Sequence, residues 1–459
     1  MKNILLTAGI AVILLSCNTS SHFSRKTVKT DGLFGDAAQT DSATIANTPW
    51  QQLFTDPQLQ NLIREGLDNN PDLQIAIQRV VESEAYYSQG KASLFPSVTA
   101  QAGGGYVRNP ETLYPDGPRN VKDFQLNFQA SWEVDIWGKL RSAKRSAYAN
   151  LLASDAGRKA VQTELISGIA NTYYSLLALD EQLAITRETV KNNIDLVETM
   201  KILKNSGQVT GAAVVQTEAI RYAAEVTIPD LEQTIRETEN TLCLLLGRTP
   251  GKIERGSLAD QKSPELIKTG VPAQLLDNRP DVMQAEYAVM SAYELTDNAR
   301  AYFYPALTIT ALSGFESPKL DKLLDPIAFS ANVIGGLTAP LLNKRTNVTR
   351  LEVAKARQEE ALISFRNTLL NAGMEVNNAL GQYDASEKKT VLRRQQLNSL
   401  EKSLSYTKEL LNYGSATYTE VLNAQQSLLS AQLNDVNDRL QKLTSVVFLY
   451  RALGGGWKQ

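Results

Sequence analysis

The sequence contains a single histidine, His22, and only two cysteines, Cys17 and Cys243, among its 459 residues. So few imidazole and thiol groups exclude a Cys/His zinc site and a disulfide framework. The chain also has no large excess of charge of one sign, because its 47 Lys and Arg residues nearly balance its 49 Asp and Glu residues. A nucleic-acid-binding protein would carry a basic excess. The sequence therefore predicts no catalytic residue set, no metal and no cofactor, and hence no enzyme.

Long hydrophobic runs are missing as well. After the first 16 residues, no stretch of about 18 apolar residues remains, which excludes a helical membrane protein. A membrane β-barrel is not excluded, because the alternating side chains of its strands do not raise a hydropathy average.

The first residues have the features of an export signal. Lys2 precedes an apolar segment over residues 4–15, which predicts a signal peptide at 1–16. The sequence LLSC at 14–17 resembles a bacterial lipobox, so Cys17 is predicted to carry the lipid that anchors the mature chain to a membrane. The alternative is an ordinary cleaved signal with a chance cysteine. Residues 17–48, rich in Ser, Thr, Asn and Asp, predict an extended linker.

Most of the remaining chain consists of an internal sequence repeat with two copies. The pairs Pro71/Pro280 and Pro96/Pro305 are each separated by 209 residues, and Gly207/Gly414 by 207. We therefore predict two copies of one structural unit, a first repeat at 49–262 and a second at 263–459.

Each repeat contains a predicted β-hairpin, at about 97–137 and about 305–341. Each hairpin follows a predicted helix, at 71–93 and 280–301. The clearest predicted strand, 124–136, alternates apolar and polar residues and so has one apolar and one polar face. The residues predicted to face the membrane are Phe124, Leu126, Phe128, Trp132 and Val134.

A long helical hairpin follows each β-hairpin, at about 141–246 and about 346–453. No proline occurs in 141–205 or 346–412, so each segment predicts one helix of about 100 Å. A heptad stripe in both, diluted by Thr186, Asn193 and Thr407, is coiled-coil-like. Gly207 and Gly414 mark the turns that send a second helix back.

Four strands per chain are too few for a membrane barrel, whose minimum is about eight. Either the strands are not embedded in a membrane, or several chains close one barrel together, because an open sheet edge is not stable in hydrocarbon. Export, the lipid anchor and the Trp-bearing hairpin favour the second possibility.

Three segments resemble a known family. They are residues 49–59 (PWQQLFTDPQL), 132–141 (WEVDIWGKLR) and 413–425 (YGSATYTEVLNAQ). They are similar to segments of the TolC-like outer-membrane efflux lipoproteins, in particular the NodT-type branch that serves resistance-nodulation-division pumps. The resemblance implies a mixed fold: a homotrimeric twelve-stranded outer-membrane β-barrel, continuous with a periplasmic tunnel of long α-helices. A belt would surround its middle, to which we assign a short helix from Pro57 to about Asn69 and the insert 248–270.

The resemblance also implies partners and a function. The partners are a periplasmic adaptor (a membrane fusion protein) and an inner-membrane pump, beside the outer-membrane lipid that holds the anchor. The function is that of a passive exit duct for drugs or other small molecules. A duct for type I protein secretion shares this fold, and a structural coiled-coil lipoprotein without a pore is the alternative from another class.

The turns at Gly207 and Gly414 are the expected periplasmic gate, where members of this family constrict the duct. In the family an acidic residue commonly lies six or nine positions after the turn glycine. Those positions hold Glu420 and Asn423 in the second repeat, and Ala213 and Gln216 in the first. Three copies of Glu420 would form a carboxylate ring that favours cations. Alternatively, Glu420 is a plain surface residue. Asn423 argues against a second ring.

Overall fold

The computed structural model describes residues 45–110, 112, 120–262 and 278–458. The signal peptide, Cys17, most of the linker and residues 263–270 of the belt insert lie outside this part of the chain. In chain order, the described helices and strands are α1 (Trp50–Leu53), α2 (Pro57–Asn69), α3 (Pro71–Ala92), β1 (Ser97–Arg108), β2 (Asn120–Val134), α4 (Lys139–Asn205), α5 (Gly211–Glu225), α6 (Thr227–Leu245), α7 (Pro280–Ala301), β3 (Ala306–Ser317), β4 (Phe329–Thr338), α8 (Thr346–Asn412) and α9 (Tyr418–Ala452).

The described chain forms two compact units, and each takes segments from both halves of the sequence. The strand unit contains residues 79–155 and 284–366, and therefore all four strands. The helix unit contains residues 45–78, 156–262, 278–283 and 367–458, and therefore both turns with the predicted gate residues.

The strand unit is built on one antiparallel sheet in the order β1-β2-β3-β4. Neighbouring strands in the sheet are also neighbours in the chain, so β1 and β4 are its two edges. The central pair β2 and β3 joins the first half to the second, with Trp132 opposite Ile309. The sheet therefore ends on one side with the first strand of the first half and on the other with the last strand of the second half.

Strand β2 ends at Val134, two residues before its predicted end. Asp135 is not a strand residue: its carboxylate accepts hydrogen bonds from the backbone N–H groups of Leu140 and Arg141, at 3.0 and 2.8 Å. These are two of the donors that the first turn of a helix leaves without an internal partner. Helix α4 consequently begins at Lys139, slightly earlier than predicted.

Helices α4 and α8 are each 67 residues long, or about 100 Å at 1.5 Å per residue. The second return is the single helix α9, as predicted. The first return is interrupted at Val226 into α5 and α6, which corrects the prediction of one helix. Pro229 has no N–H to bond the carbonyl of Glu225, so the hydrogen-bond ladder is broken there.

The core of the helix unit is formed where α2, α4, α6 and α9 pack together. Its largest fully buried side chains are Leu59, Ile63, Ile166, Ile169, Tyr173, Leu176, Leu177, Met200, Leu242, Leu246 and Tyr450. Cys243 is buried among them, as a small apolar residue would be. The predicted stripe of α4 is buried except for the half-buried Leu179; its members are Leu176, Leu179, Leu183, Thr186, Val190, Asn193, Val197 and Met200.

The predicted belt helix is present as α2, and the Asp56 carboxylate accepts from the backbone N–H of Gln58 at 2.8 Å. The same carboxylate accepts from the Tyr173 hydroxyl at 2.7 Å and from the Gln261 amide at 2.8 Å. The Asp56 side chain thus joins the start of α2, the long helix α4 and the insert that contains Gln261.

Candidate functional site

The sheet has one apolar and one polar face, and both cross all four strands. Residues that lie opposite each other in an antiparallel pair point to the same side. The pairing therefore places the following residues on the apolar face: Val98, Ala100, Ala102, Phe124, Leu126, Phe128, Ala130, Trp132, Val134, Leu307, Ile309, Ala311, Phe315, Phe329, Ala331, Val333 and Leu337. The alternation seen in β2 extends to the other three strands, with exceptions that include Ser313 and Ser317 on the apolar face and Leu312 and Ile334 on the opposite face.

All five residues predicted to face the membrane lie on this apolar face. Phe128 and Trp132 are exposed, whereas Phe124, Leu126 and Val134 are half-buried. The indole N–H of Trp132 donates to the backbone carbonyl of Leu94 at 3.0 Å. Trp132 thus presents an apolar ring with a bonded polar end, which is the arrangement preferred at the edge of a membrane.

The opposite face is lined mainly by uncharged polar side chains. It carries Thr99, Gln101, Gln125, Asn127, Gln129, Ser131, Thr308, Thr310, Asn332 and Thr338. The same face also carries the carboxylates of Asp123, Glu133 and Glu316. Such a surface is stable in contact with water. This chemistry suits the wall of a water-filled passage.

Aromatic side chains join the segment that follows β2 to the segment that precedes β3. The rings of Trp137 and Tyr304 stack with centroids 4.8 Å apart, and the Trp137 indole donates to the carbonyl of Pro305 at 2.8 Å. Sequence reasoning did not single out this contact, although Trp137 belongs to one of the three family-like segments and Tyr304 directly precedes Pro305 of the repeated pair Pro96/Pro305.

The two predicted turns have the same backbone structure. Gly207 and Gly414 have φ angles of 75° and 70°, in the left-handed region that favours glycine. At each turn, the N–H groups of the glycine and of the next residue donate to carbonyls in the last turn of the long helix: Gly207 to Lys204 and Gln208 to Leu203, Gly414 to Leu411 and Ser415 to Leu410. This is the Schellman motif, which satisfies carbonyls at a helix end.

Glu420 is an exposed residue in the first turn of α9, and its carboxylate closes that turn. It accepts from the backbone N–H of Thr417 at 2.6 Å and from the Thr417 hydroxyl at 3.1 Å. Such reciprocal capping is a known way to start a helix. The corresponding residue of the first return, Ala213, is buried and has no side chain for this role, and its backbone N–H bonds the hydroxyl of Thr210 instead.

Gln216 and Asn423 are both exposed. Gln216 is brought to the other return, because its side-chain oxygen accepts a hydrogen bond of 3.3 Å from the hydroxyl of Tyr418. Tyr418, which sequence reasoning missed, directly follows Thr417 in the family-like segment 413–425. The predicted gate residues therefore lie at one end of the helical hairpins, and one hydrogen bond joins the two returns there.

Elsewhere in the described residues, no group of three His, Cys, Asp or Glu side chains is placed to hold a metal ion. In the same part of the chain, every helix is too short or too polar to cross a membrane by itself.

Comparison with known proteins gives the family. The sequence model described as "Outer membrane efflux protein" matches residues 62–248 and 271–455. The chain belongs to the outer membrane efflux protein family. It is 27% identical to the cation efflux system protein CusC of Escherichia coli O6:H1 over 460 residues, which covers 99% of each chain. It is 30% identical to the pyoverdine export outer membrane protein OpmQ of Pseudomonas aeruginosa, over 92% of this chain and 90% of the relative.

The fold agrees with this family. A crystal structure of CusC superposes with a TM-score of 0.86 at 26% identity and covers 96% of this chain and 100% of that one. The predicted location in the outer membrane and the predicted efflux function are thereby confirmed. The cargoes named for the relatives, cations and pyoverdine, differ in chemistry, so membership in the family does not fix the cargo of this chain.

Proposed function

We propose that three copies of this chain form one closed wall, a twelve-stranded barrel in the outer membrane continuous with a tunnel of long helices in the periplasm. In this arrangement the protein is the passive, non-enzymatic exit duct of a tripartite efflux system. The tunnel receives small molecules through a periplasmic adaptor from an inner-membrane pump. The chain itself is a duplicated unit, and each copy contributes four strands.

The observation that carries the proposal is the two-faced sheet, whose edge strands β1 and β4 each pair on one side only within the described part of the chain. Its apolar face suits lipid and its polar face suits water, which is the arrangement of a barrel wall around an aqueous channel. The exposed N–H and C=O groups of β1 and β4 have no partner in hydrocarbon, and leaving them unbonded would cost several kcal/mol each. Four strands cannot close on themselves, so further copies must pair with both edges.

The second long helix supports the same assembly. The predicted stripe of α4 is buried within the chain, whereas its counterpart in α8 (Leu397, Leu400, Leu404, Thr407 and Leu411) is only half-buried. Half-exposed leucines at heptad spacing are typical of a helix that packs against further helices. A neighbouring copy supplies such helices.

The turns at Gly207 and Gly414 form the gate of the proposed duct. The bond between Tyr418 and Gln216 holds the two returns together in each copy, and binding of the adaptor favours the arrangement in which the ends separate. Three copies of Glu420 place three carboxylates around the opening and favour the passage of cations. Asn423 contributes no charge, so a second ring is absent from this mechanism.

The lipid on Cys17 anchors each copy to the outer membrane in this proposal. Its buried methylene groups contribute about 0.8 kcal/mol each, which holds the chain at the membrane surface. The barrel then provides the lasting insertion.

The test is to purify the full lipid-modified chain in detergent, determine its mass by native mass spectrometry and record currents across a planar bilayer. We expect trimers and discrete single-channel currents. A monomer without current would overturn the proposal and favour the pore-free coiled-coil lipoprotein. Drug susceptibility and secreted proteins of a deletion strain separate the two duct functions: efflux predicts drug sensitivity with normal secretion, and type I secretion predicts the reverse.

A further inference from the structure

Two cavities of the strand unit meet at one side chain, that of Arg350. The first has a volume of about 380 Å³ and lies at the end of the sheet, where β2, the turn before β3 and the start of α8 come together. The second, of about 340 Å³, is a groove between α7 and α8. Arg350 and Thr346 line both cavities, so the two are adjacent.

The guanidinium of Arg350 is held in a fixed position between these cavities. Its Cζ lies 3.7 Å from the centroid of the Tyr302 ring, and the face of such a ring attracts a cation. One guanidinium N–H donates to the side-chain oxygen of Asn347 at 3.3 Å, and the Asn347 amide donates to the backbone carbonyl of Tyr302 at 2.7 Å. Tyr302, Asn347 and Arg350 therefore hold one another in place.

Arg350 differs from the other charged residues of the first cavity, because no carboxylate in the described part of the chain neutralises it. Lys139 is paired with Glu133, and the Asp135 carboxylate with Arg141 at 3.1 Å. A planar guanidinium binds carboxylate or phosphate groups through parallel hydrogen bonds. The free N–H groups of Arg350 are thus available to an anion from outside the chain.

The groove offers an apolar surface next to this charge. Five of the residues that line it are apolar: Ala292, Leu295, Ala299, Val353 and Ala354. Leu295 and Val353 are each 43% exposed, so the apolar surface is accessible. A second cation without an ion pair among the described residues, Arg357, lies at the same groove. The combination fits a molecule with an apolar body and an acidic group.

The first cavity lies on the polar side of the sheet. Three of the four strand residues that line it, Glu133, Ala306 and Thr338, belong to the polar face. In the proposed duct that face borders the aqueous passage. The groove is formed by two helices of one copy, so it is complete without a neighbouring chain. A ligand is therefore expected to enter from the passage.

We propose that this space is a binding site for small organic anions with an apolar body. The acidic group binds the guanidinium of Arg350, and the apolar body lies in the groove against Leu295 and Val353. The inference rests on the proposed duct and names a class of molecule that its wall binds. Glu420 belongs to the helix unit and acts on small ions at the gate, so its role is a separate prediction.

Isothermal titration calorimetry of the full-length trimer in an uncharged detergent tests the site. The probe is 2-naphthoate, which joins a flat apolar body to a carboxylate. Acetate has the carboxylate without the apolar body, and 2-naphthylmethylammonium has the same ring system with a positive charge. We expect saturable binding of 2-naphthoate and no measurable binding of the other two. Equal binding of the cation would overturn the proposal.

Three variants locate the binding. Arg350→Gln should weaken the binding of 2-naphthoate at least about tenfold, because the hydrogen bonds to a charged group are lost. Val353→Asp should also weaken it, because it places a negative charge in the groove. Lys355→Gln is the matched control, since it removes one positive charge from an exposed position of α8 that lines neither cavity. It should leave the affinity unchanged.

Each variant is used only after native mass spectrometry shows trimers and a planar bilayer shows current. Wild-type affinity in Arg350→Gln, or an equal loss in Lys355→Gln, would overturn the site and leave the duct intact. Displacement of 2-naphthoate by phosphatidylglycerol in lipid nanodiscs would show that a membrane phospholipid occupies the site, and would overturn the inference of a ligand from the passage. Absence of trimer and current from the unmodified protein would overturn the duct itself.

Discussion

The hydroxyl of Tyr418 donates a hydrogen bond of 3.3 Å to the side-chain oxygen of Gln216, which joins the starts of the two returning helices. If this bond helps to hold the proposed gate closed, Tyr418→Phe should shift that gate toward the open state. One hydrogen bond contributes about 1 kcal/mol, which corresponds to roughly a fivefold change in the open-to-closed ratio per contact. Single-channel recording in a planar bilayer measures this change.

Two further variants give this prediction its control. Gln216→Leu should have a similar effect, and the double variant should add little to either single change, because both remove the same bond. Tyr413→Phe serves as the matched control at the same turn, since the side chain of Tyr413 is highly exposed. Equal open probability in Tyr418→Phe and wild type would show that the bond does not hold the gate.

The capping role of Glu420 and its charge can be separated by two substitutions. Glu420→Gln keeps an oxygen that can accept from the backbone of Thr417 but removes the negative charge. We expect it to lower the preference for cations, measured as the reversal potential in a salt gradient, with unchanged thermal stability. Glu420→Ala should lower both, with a loss of about 1 kcal/mol in stability from the missing cap.

Asn423→Gln is the neutral control, at an exposed position without charge. If the reversal potential of Glu420→Gln equals that of wild type, the carboxylate ring plays no part in selectivity, and Glu420 serves only to cap its helix.

Two glycines with similar backbone angles should differ in their tolerance of alanine. At Gly207, φ is 75° and the space around an added Cβ is empty, so Gly207→Ala carries only the left-handed backbone cost of roughly 1–2 kcal/mol. At Gly247, φ is 69° and the added Cβ would lie 2.4 Å from the backbone oxygen of Asn69. We therefore expect Gly247→Ala to reduce thermal stability clearly more than Gly207→Ala. Equal midpoints in a detergent melting assay would contradict the packing of α2 against the end of α6.

Alkaline pH should destabilise the helix unit through its buried tyrosines. Burial raises the pKa of Tyr450 to about 12, and it also raises the pKa of Tyr173 and of Tyr174 above the ordinary value. An unfolded tyrosine ionises near pH 10. Between about pH 10 and 12 the folded chain keeps protons that the unfolded chain loses, so stability is fully present below this window and falls as the pH rises through it.

Thermal melting from pH 9 to 12 measures this effect. Tyr450→Phe should flatten the decline, although it also loses the hydrogen bond of 2.8 Å to the carbonyl of Thr48 and so begins from a lower stability. Tyr406→Phe, at an exposed position, should leave the slope unchanged. The same slope in Tyr450→Phe as in wild type would contradict the role of Tyr450.

The long elements could be predicted from the sequence because their patterns are continuous. The bounds of α8 agree with the proline-free segment at both ends, and the alternation in β2 predicts the face of each side chain. Asp135 was misassigned because it keeps the alternation of the strand while its carboxylate bonds the start of the next helix. Such capping depends on a turn that the periodicity does not describe.

Two other features were not predicted, and only the second depends on a contact between distant segments. The interruption at Val226 follows from Pro229, whose effect is local but was outweighed by the helical composition around it. The bond from Tyr418 to Gln216 joins residues more than 200 positions apart, and exposed polar side chains carry no pattern that predicts their partner. The predicted gate positions were therefore found by resemblance, whereas the residue that links them required the structure.

The strand order of the sheet, with β1 at one edge and β4 at the other, predicts how a mutant allele acts beside a normal one. In the proposed trimer, every subunit must offer an intact β1 edge to one neighbour and an intact β4 edge to the other. A chain damaged at only one of these edges would still attach through its intact edge and leave the ring open. A mutant allele of that kind would inactivate the product of a normal allele in the same cell, in contrast to an allele that makes no protein.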